Sequence, residues 1–120
     1  MNEASPKIEL RTLKRDIAQV YNRVNQEFYA TGVRSQRVDV YDDRIIIFAK
    51  HKRVTAFKAL SKNFGELTTY ADAALIVEFK LKLKQLVEDA TGLKVKSVLK
   101  DYDPKSEDAT CVVIFDEEII

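Results

Sequence analysis

The sequence predicts an α+β domain in which two α-β-β units share one four-stranded antiparallel sheet, with two long helices on one face. Three observations predict it. The chain echoes itself 60 residues apart: Ala30-Thr31-Gly32-Val33 follows one helix-like stretch, and Ala90-Thr91-Gly92-Leu93 follows another. After each echo come a strand-like run, acidic turn residues and an apolar run. The apolar run is Ile45-Ile46-Ile47-Phe48 in the first unit and Val112-Val113-Ile114-Phe115 in the second. A single such unit cannot enclose a core, whereas two can build a sheet under a layer of helices.

Residues 1–5 are expected to be a disordered tail, and 6–120 a single domain. Ser5 followed by Pro6 suits an N-cap with proline at the first helical position. Leu10, Leu13, Ile17, Val20, Val24 and Phe28 then recur at steps of three and four, the stripe of an amphipathic helix. Gly32 is expected to end it in the left-handed conformation. Gln36 to Tyr41 alternates, with Val38 and Val40 on one side and Arg37 and Asp39 on the other, as a half-exposed strand does. Asp42-Asp43 makes a tight turn. Arg44 to Ala49 is apolar on both parities and reads as an interior strand.

After the basic turn Lys50–Arg53, Thr55 is expected to cap a short helix near 55–64, which Gly65 stops. Thr69 with Asp72 is expected to open the second long helix through a variant capping box. Its main stripe is Leu75, Phe79, Leu83, Leu86 and Ala90. Ala73, Ala74, Val77 and Leu81 give its first half a second apolar face, so both sides need cover. At about 21 residues it would run ~31 Å, against ~20 Å for a six-residue strand. The overhang calls for a partner.

Leu93 to Lys100 is a third strand with Lys94, Lys96 and Lys100 on one parity; Val98 falls on the lysine side, which suggests a bulge. Asp101 to Asp108 is a loop, and Thr110 to Phe115 a doubly apolar fourth strand. Charged strands suit edges and apolar ones the middle. Hairpins pair strand 1 with 2 and strand 3 with 4. The order that satisfies both is 3-4-2-1, a ferredoxin-like sheet in circularly permuted order. Its helix-free face would be rich in Ile, Val and Phe and would also need covering.

Lys and Arg number 20 against 19 Asp and Glu, so no global field favours nucleic acid or an anionic membrane. One cysteine forms no internal disulfide, which fits a reducing compartment. The N-terminus lacks the basic start and apolar run of a signal peptide. No apolar run nears the ~20 residues a spanning helix needs. A cytoplasmic location without direct membrane insertion is expected.

Candidate sites are sparse. His51, the single histidine, has no ligand-spaced companion and no nucleophile in sequence reach, and reads as a solvated loop residue. Cys111 on a central strand reads as a small buried apolar residue. The loop Asp101–Asp108 carries four carboxylates, but it lacks the glycine of a calcium loop and reads as a solvated hairpin turn. The turn Lys50, His51, Lys52 and Arg53 is the sharpest charge cluster, able to meet an anion, a nucleic acid or an acidic protein. The near-neutral net charge and the lack of a recognisable aromatic stacking motif on the sheet speak against nucleic acid. The sequence predicts no catalytic residue, cofactor site or metal site.

Gly92-Leu93-Lys94-Val95-Lys96-Ser97-Val98, the turn Asp101-Tyr102-Asp103-Pro104-Lys105-Ser106 and the strand Val112-Val113-Ile114-Phe115 resemble the C-terminal half of the MpsC-like family of small bacterial proteins. Val38-Asp39-Val40-Tyr41-Asp42-Asp43 and the isoleucine strand are similar to its N-terminal half. Two segments depart from the family's pattern. Thr31-Gly32-Val33-Arg34 stands in place of a Gly-x-Gly-Pro-like run, and Val54-Thr55-Ala56-Phe57-Lys58 in place of a Leu-Thr-Pro-x-Glu-like one. The family is named for a sodium-translocating, membrane-potential-generating system, and the resemblance implies no catalytic residue.

The expected function is a non-enzymatic cytoplasmic interaction module. It would be a homodimeric accessory or regulatory subunit which, as the resemblance implies, serves a membrane ion or inorganic-carbon transport system. Its expected contact residues are Val54, Phe57, Leu60, Phe64, Ala73, Val77 and Leu81. The alternative is an anion or nucleic-acid binding domain using residues 50–53.

Overall fold

The structure is a computed structural model that describes residues 9–120. The elements run α1 (Leu10–Tyr29), β1 (Ser35–Tyr41), β2 (Arg44–Lys50), α2 (Thr55–Leu60), α3 (Gly65–Thr91), β3 (Val95–Tyr102) and β4 (Asp108–Phe115). The four strands form one sheet in the order β1-β2-β4-β3, every pairing antiparallel. Read from the other edge this is the expected 3-4-2-1, with the two apolar strands in the middle. Strand pleating puts Ile45, Ile47 and Ala49 of β2 and Ala109, Cys111, Val113 and Phe115 of β4 on one face. There they are buried with Leu13, Ile17, Val20, Tyr21 and Val24 of α1 and Phe79, Leu83 and Val87 of α3. Burial of a side chain the size of Phe79 contributes roughly 1.5–3 kcal/mol. The helices α1 and α3 lie against each other over this face. Their contact is aromatic, with the Phe79 ring 5.4 Å from Tyr21 and 6.1 Å from both Phe28 and Tyr29.

Several local expectations give way. Ser5 and Pro6 lie outside the described residues, as does the expected tail. Within them α1 begins at Leu10, and the Glu9 carboxylate caps it by accepting from the backbone N–H of Arg11 and Thr12 at 3.0 and 2.8 Å. Ala30, not Gly32, takes the left-handed position, with φ 62°. Gly32 is required for another reason. A Cβ there would lie 2.5 Å from Asn22 Oδ1, the oxygen that accepts from Val33 N–H at 2.9 Å. Gly65 does not stop a helix; it is the first residue of α3. That helix therefore starts four residues before Thr69, and Asp72 is free to make an ion pair instead of a cap. Thr55 is the first residue of α2 rather than its cap, and no side chain caps that helix. Gly92 does end α3 in the left-handed conformation, with φ 72°.

The bulge lies between Val95 and Ser97. It reverses the parity of the rest of β3. Val98 then pairs with Val113 and Lys100 with Cys111, so both face the helices, contrary to the exposed lysine parity expected. Among the described residues the opposite face carries Ile46, Phe48, Val112, Ile114 and Leu99 and no helix; Phe48 and Leu99 are exposed. Arg37 lies over the Phe48 ring at 4.7 Å from its centroid. Beyond β4 the chain returns to the core, where Ile119 is buried and its N–H donates to Asp42 O at 2.6 Å.

Candidate functional site

Two surfaces stand out, and they meet at the N-terminal end of α3. The first is apolar. At 27 residues α3 is ~40 Å long, well beyond the ~25 Å of an eight-residue strand. The C-terminal end of α1 packs near Phe79 through Phe28 and Tyr29, so the first turns of α3 extend past it. Along the outer side of this helix Leu67, Tyr70, Val77 and Leu81 are 57%, 77%, 52% and 61% exposed. Ala73 and Ala74 are exposed too. The inward side of the same helix holds Thr68 and Phe79, both buried. Leu60 and Phe64 continue the exposed flank, while Phe57 and Val54 are half-buried. The expected contact residues thus share the α2–α3 flank, with these two turned partly inward.

Leu67 and Tyr70 belong to this flank and were not among the expected contacts. A helix start at Thr69 leaves Leu67 outside the helix and Tyr70 in its opening turn. With the helix begun at Gly65, Leu67, Tyr70, Ala74, Val77 and Leu81 fall on one line at steps of three, four, three and four.

The second surface is the basic turn between β2 and α2, and it is far less cationic than its sequence. Lys50 Nζ lies 3.1 Å from Asp108 Oδ1 and donates to Ser106 O at 3.1 Å. Arg53 Nη1 lies 2.8 Å from Asp72 Oδ2, and the Arg53 side chain is 9% exposed. The Arg53 guanidinium also sits 5.8 Å from the Phe57 ring centroid. Lys52 is exposed and has no ion pair among the described residues. Glu107 ties the turn down. Its backbone carbonyl accepts from His51 N–H and its carboxylate from Arg53 N–H, each at 3.1 Å. Glu107 is held at φ 66°, left-handed backbone that a non-glycine residue adopts at a cost. The acidic loop is thus a hairpin turn, as expected, and one of its carboxylates anchors the basic turn.

His51 is not solvated. It is 3% exposed, with its ring between Tyr102 at 4.6 Å and Tyr29 at 5.6 Å. The Tyr102 hydroxyl donates to His51 O at 3.1 Å. Burial, helped by the positive charge of Lys100, brings the imidazole pKa down to about 4, so it is neutral near pH 7. Both ring nitrogens lack a hydrogen-bond partner among the described residues. The cavity beside them, lined by Tyr29, Arg53, Asp72, Ile76 and Tyr102, measures about 30 Å³. That volume has room for a water or two and not for an organic ligand. Nothing in the local sequence signals this stack, because Tyr29 and Tyr102 reach His51 from α1 and β3.

Cys111 is fully buried, and desolvation pushes its thiol up to about 12. A thiol held in that form is a poor nucleophile. Among the described residues no cluster of three or more His, Cys, Asp or Glu side chains is placed to hold a metal ion. Among them, too, no helix is long and apolar enough to cross a membrane.

A family profile described as "Na+-translocating membrane potential-generating system (MpsC)" matches residues 9–117, nearly the whole chain. The chain belongs to this family. No curated protein and no solved structure gives a significant match.

Proposed function

We propose that this MpsC-family chain is a non-enzymatic, cytoplasmic protein-interaction module: a homodimer that serves as an accessory or regulatory subunit of a membrane ion-translocating system. The exposed apolar flank of α2 and α3 carries the reading. A run such as Leu67, Tyr70, Val77 and Leu81, more than half exposed along one helix, marks a surface that water does not suit. The family's description supplies the link to a membrane-potential-generating system. The sheet face opposite α1 and α3, with Phe48 and Leu99 exposed, offers a second surface for a protein of that system. The neutral buried His51 and the buried Cys111 thiol support a non-catalytic role. The strand order also supports a permuted ferredoxin-like reading of the fold.

Light scattering on the purified protein tests the self-association. A dimer is expected, and Val77→Glu with Leu81→Glu should give a folded monomer, because both side chains are exposed. A wild-type monomer at the highest soluble concentration overturns the homodimer. Affinity capture from the native host in detergent tests the membrane link, and recovery of an ion-translocating subunit is the expected result.

The anion or nucleic-acid reading of the basic turn has weaker support. Lys50 and Arg53 are already paired with Asp108 and Asp72, which leaves Lys52 as the exposed charge. Salt-sensitive binding lost on Lys52→Glu would favour it.

A further inference from the structure

Resting on the self-association proposed above, we propose that α3 pairs with the α3 of a second copy as an antiparallel coiled coil, in one register, with the two-fold axis level with Asp72. The exposed line Leu67, Tyr70, Ala74, Val77, Leu81 repeats every 3.5 residues on average, the period of a seam between two helices. It lies on the side of α3 opposite Thr68, Asp72, Ile76, Phe79 and Leu83, so it is separate from the face that packs on the domain. A helix apolar on two opposed sides has two sets of neighbours. The described residues supply one.

The residues flanking the seam select the second copy and its direction. In a parallel pair Glu66 would meet Ala71, Ala73 would meet Glu78 and Lys80 would meet Gln85, so no opposite charges come together. In an antiparallel pair centred at Asp72, Glu66 of each copy meets Lys80 of the other, and both charges are matched twice. The seam layers become Leu67 with Val77 and Tyr70 with Ala74, each occurring twice by symmetry. The large Tyr70 ring then faces the smallest seam residue. Ala71 and Ala73 meet their own copies beside the axis, where methyl side chains let the backbones come close. Leu81 reaches past the first turn of the other helix to the second copy's Phe64. One register therefore pairs Glu66 with Lys80 and meets volume and symmetry together, with Glu78 left at the rim, and it incorporates the residues that overhang α1.

The test uses the intact protein with one added cysteine, since the native Cys111 is fully buried and silent to thiol reagents. A short bis-maleimide should join Ala73→Cys to its copy in high yield. It should leave Lys84→Cys unjoined, because in the antiparallel register the two copies of position 84 lie ~36 Å apart along the axis. Glu66→Lys alone and Lys80→Glu alone should each weaken the dimer roughly tenfold, and the double exchange should restore it. Circular dichroism on each variant separates loss of pairing from loss of fold. A dimer that cross-links through position 84, or through neither, or that the double exchange fails to rescue, overturns the register and leaves self-association standing. A wild-type monomer overturns both.

Discussion

The ammonium of Lys100 sits 4.1 Å from the centroid of the Phe79 ring, inside the layer between helix and sheet. It donates to the Tyr21 hydroxyl at 2.8 Å and lies 4.9 Å from that ring's centroid. The β3 bulge turns the lysine inward, and two aromatic faces and one hydroxyl take the place of water. The exchange is incomplete. Desolvation draws the Lys100 pKa down to about 8.

Replacing Lys100 should therefore stabilise the fold. Below pH 8 the lysine is charged in both states, and the folded state carries the desolvation cost. As pH rises from about 8 to the unfolded value near 10.5, the unfolded lysine binds more protons than the folded one, so the contribution of Lys100 to wild-type stability climbs. Lys100→Met is expected to gain about 1–3 kcal/mol at pH 7. Its advantage over wild type should shrink across pH 8 to 10.5. Urea denaturation at a series of pH values measures this. The comparison sets aside Cys111, Tyr29 and Tyr102: burial raises all three to about 12, which lowers stability above pH 9 for the thiol and above pH 10 for the tyrosines in both proteins.

His51 should make the fold acid-sensitive. Its pKa falls from 6.5 to about 4 on folding, so the unfolded state binds the extra proton in that window. The stability of the neutral ring is full above pH 6.5 and is lost as pH falls toward 4, by roughly 3 kcal/mol from this group. His51→Phe keeps a flat ring between Tyr29 and Tyr102 and should remove that part of the acid loss. Equal acid slopes in the two proteins would refute the assignment.

Two glycines should respond in opposite senses to alanine. At Gly32 the new methyl collides with Asn22 Oδ1 and displaces the acceptor of Val33 N–H, at a cost of about 1–3 kcal/mol. At Gly65, in the first turn of α3, a Cβ meets nothing within 4 Å and helix propensity improves. Gly65→Ala should gain up to about 1 kcal/mol. The urea midpoints of both variants settle the signs.

The Arg53–Asp72 pair holds the free end of α3 to the body of the domain. Asp72→Asn leaves a nearly buried guanidinium short of its carboxylate and should cost about 1–3 kcal/mol. Amide hydrogen exchange should quicken at residues 65–74 more than in the second half of the helix. Uniform quickening would mean that the pair acts on the whole fold and not on this segment.

Periodicity made the sheet legible. The run Ile45–Phe48 and the run Val112–Phe115 are apolar on both parities, which sets them in the middle, and the 60-residue echo sets the hairpins. Contacts that cross elements were not legible. Nothing near position 51 says that Tyr29 and Tyr102 will stack on it, and a four-residue basic turn reads as solvent-facing until Asp72 and Asp108 are placed beside it. The bulge was visible in Val98, but its effect on Lys100 depended on where it fell. Gly65 misled because glycine is also tolerated at a helix start, and with it went Leu67, the first position of the exposed line.

The interior position of β4 bears on how this protein is made. It is the last of the four strands to leave the ribosome, yet it pairs with both β2 and β3. Until Phe115 emerges, Ile45 and Ile47 have no neighbouring strand on that side, and the first hairpin must wait during synthesis with its greasy edge open. Nascent chains stalled before residue 108 are the ones a chaperone should hold.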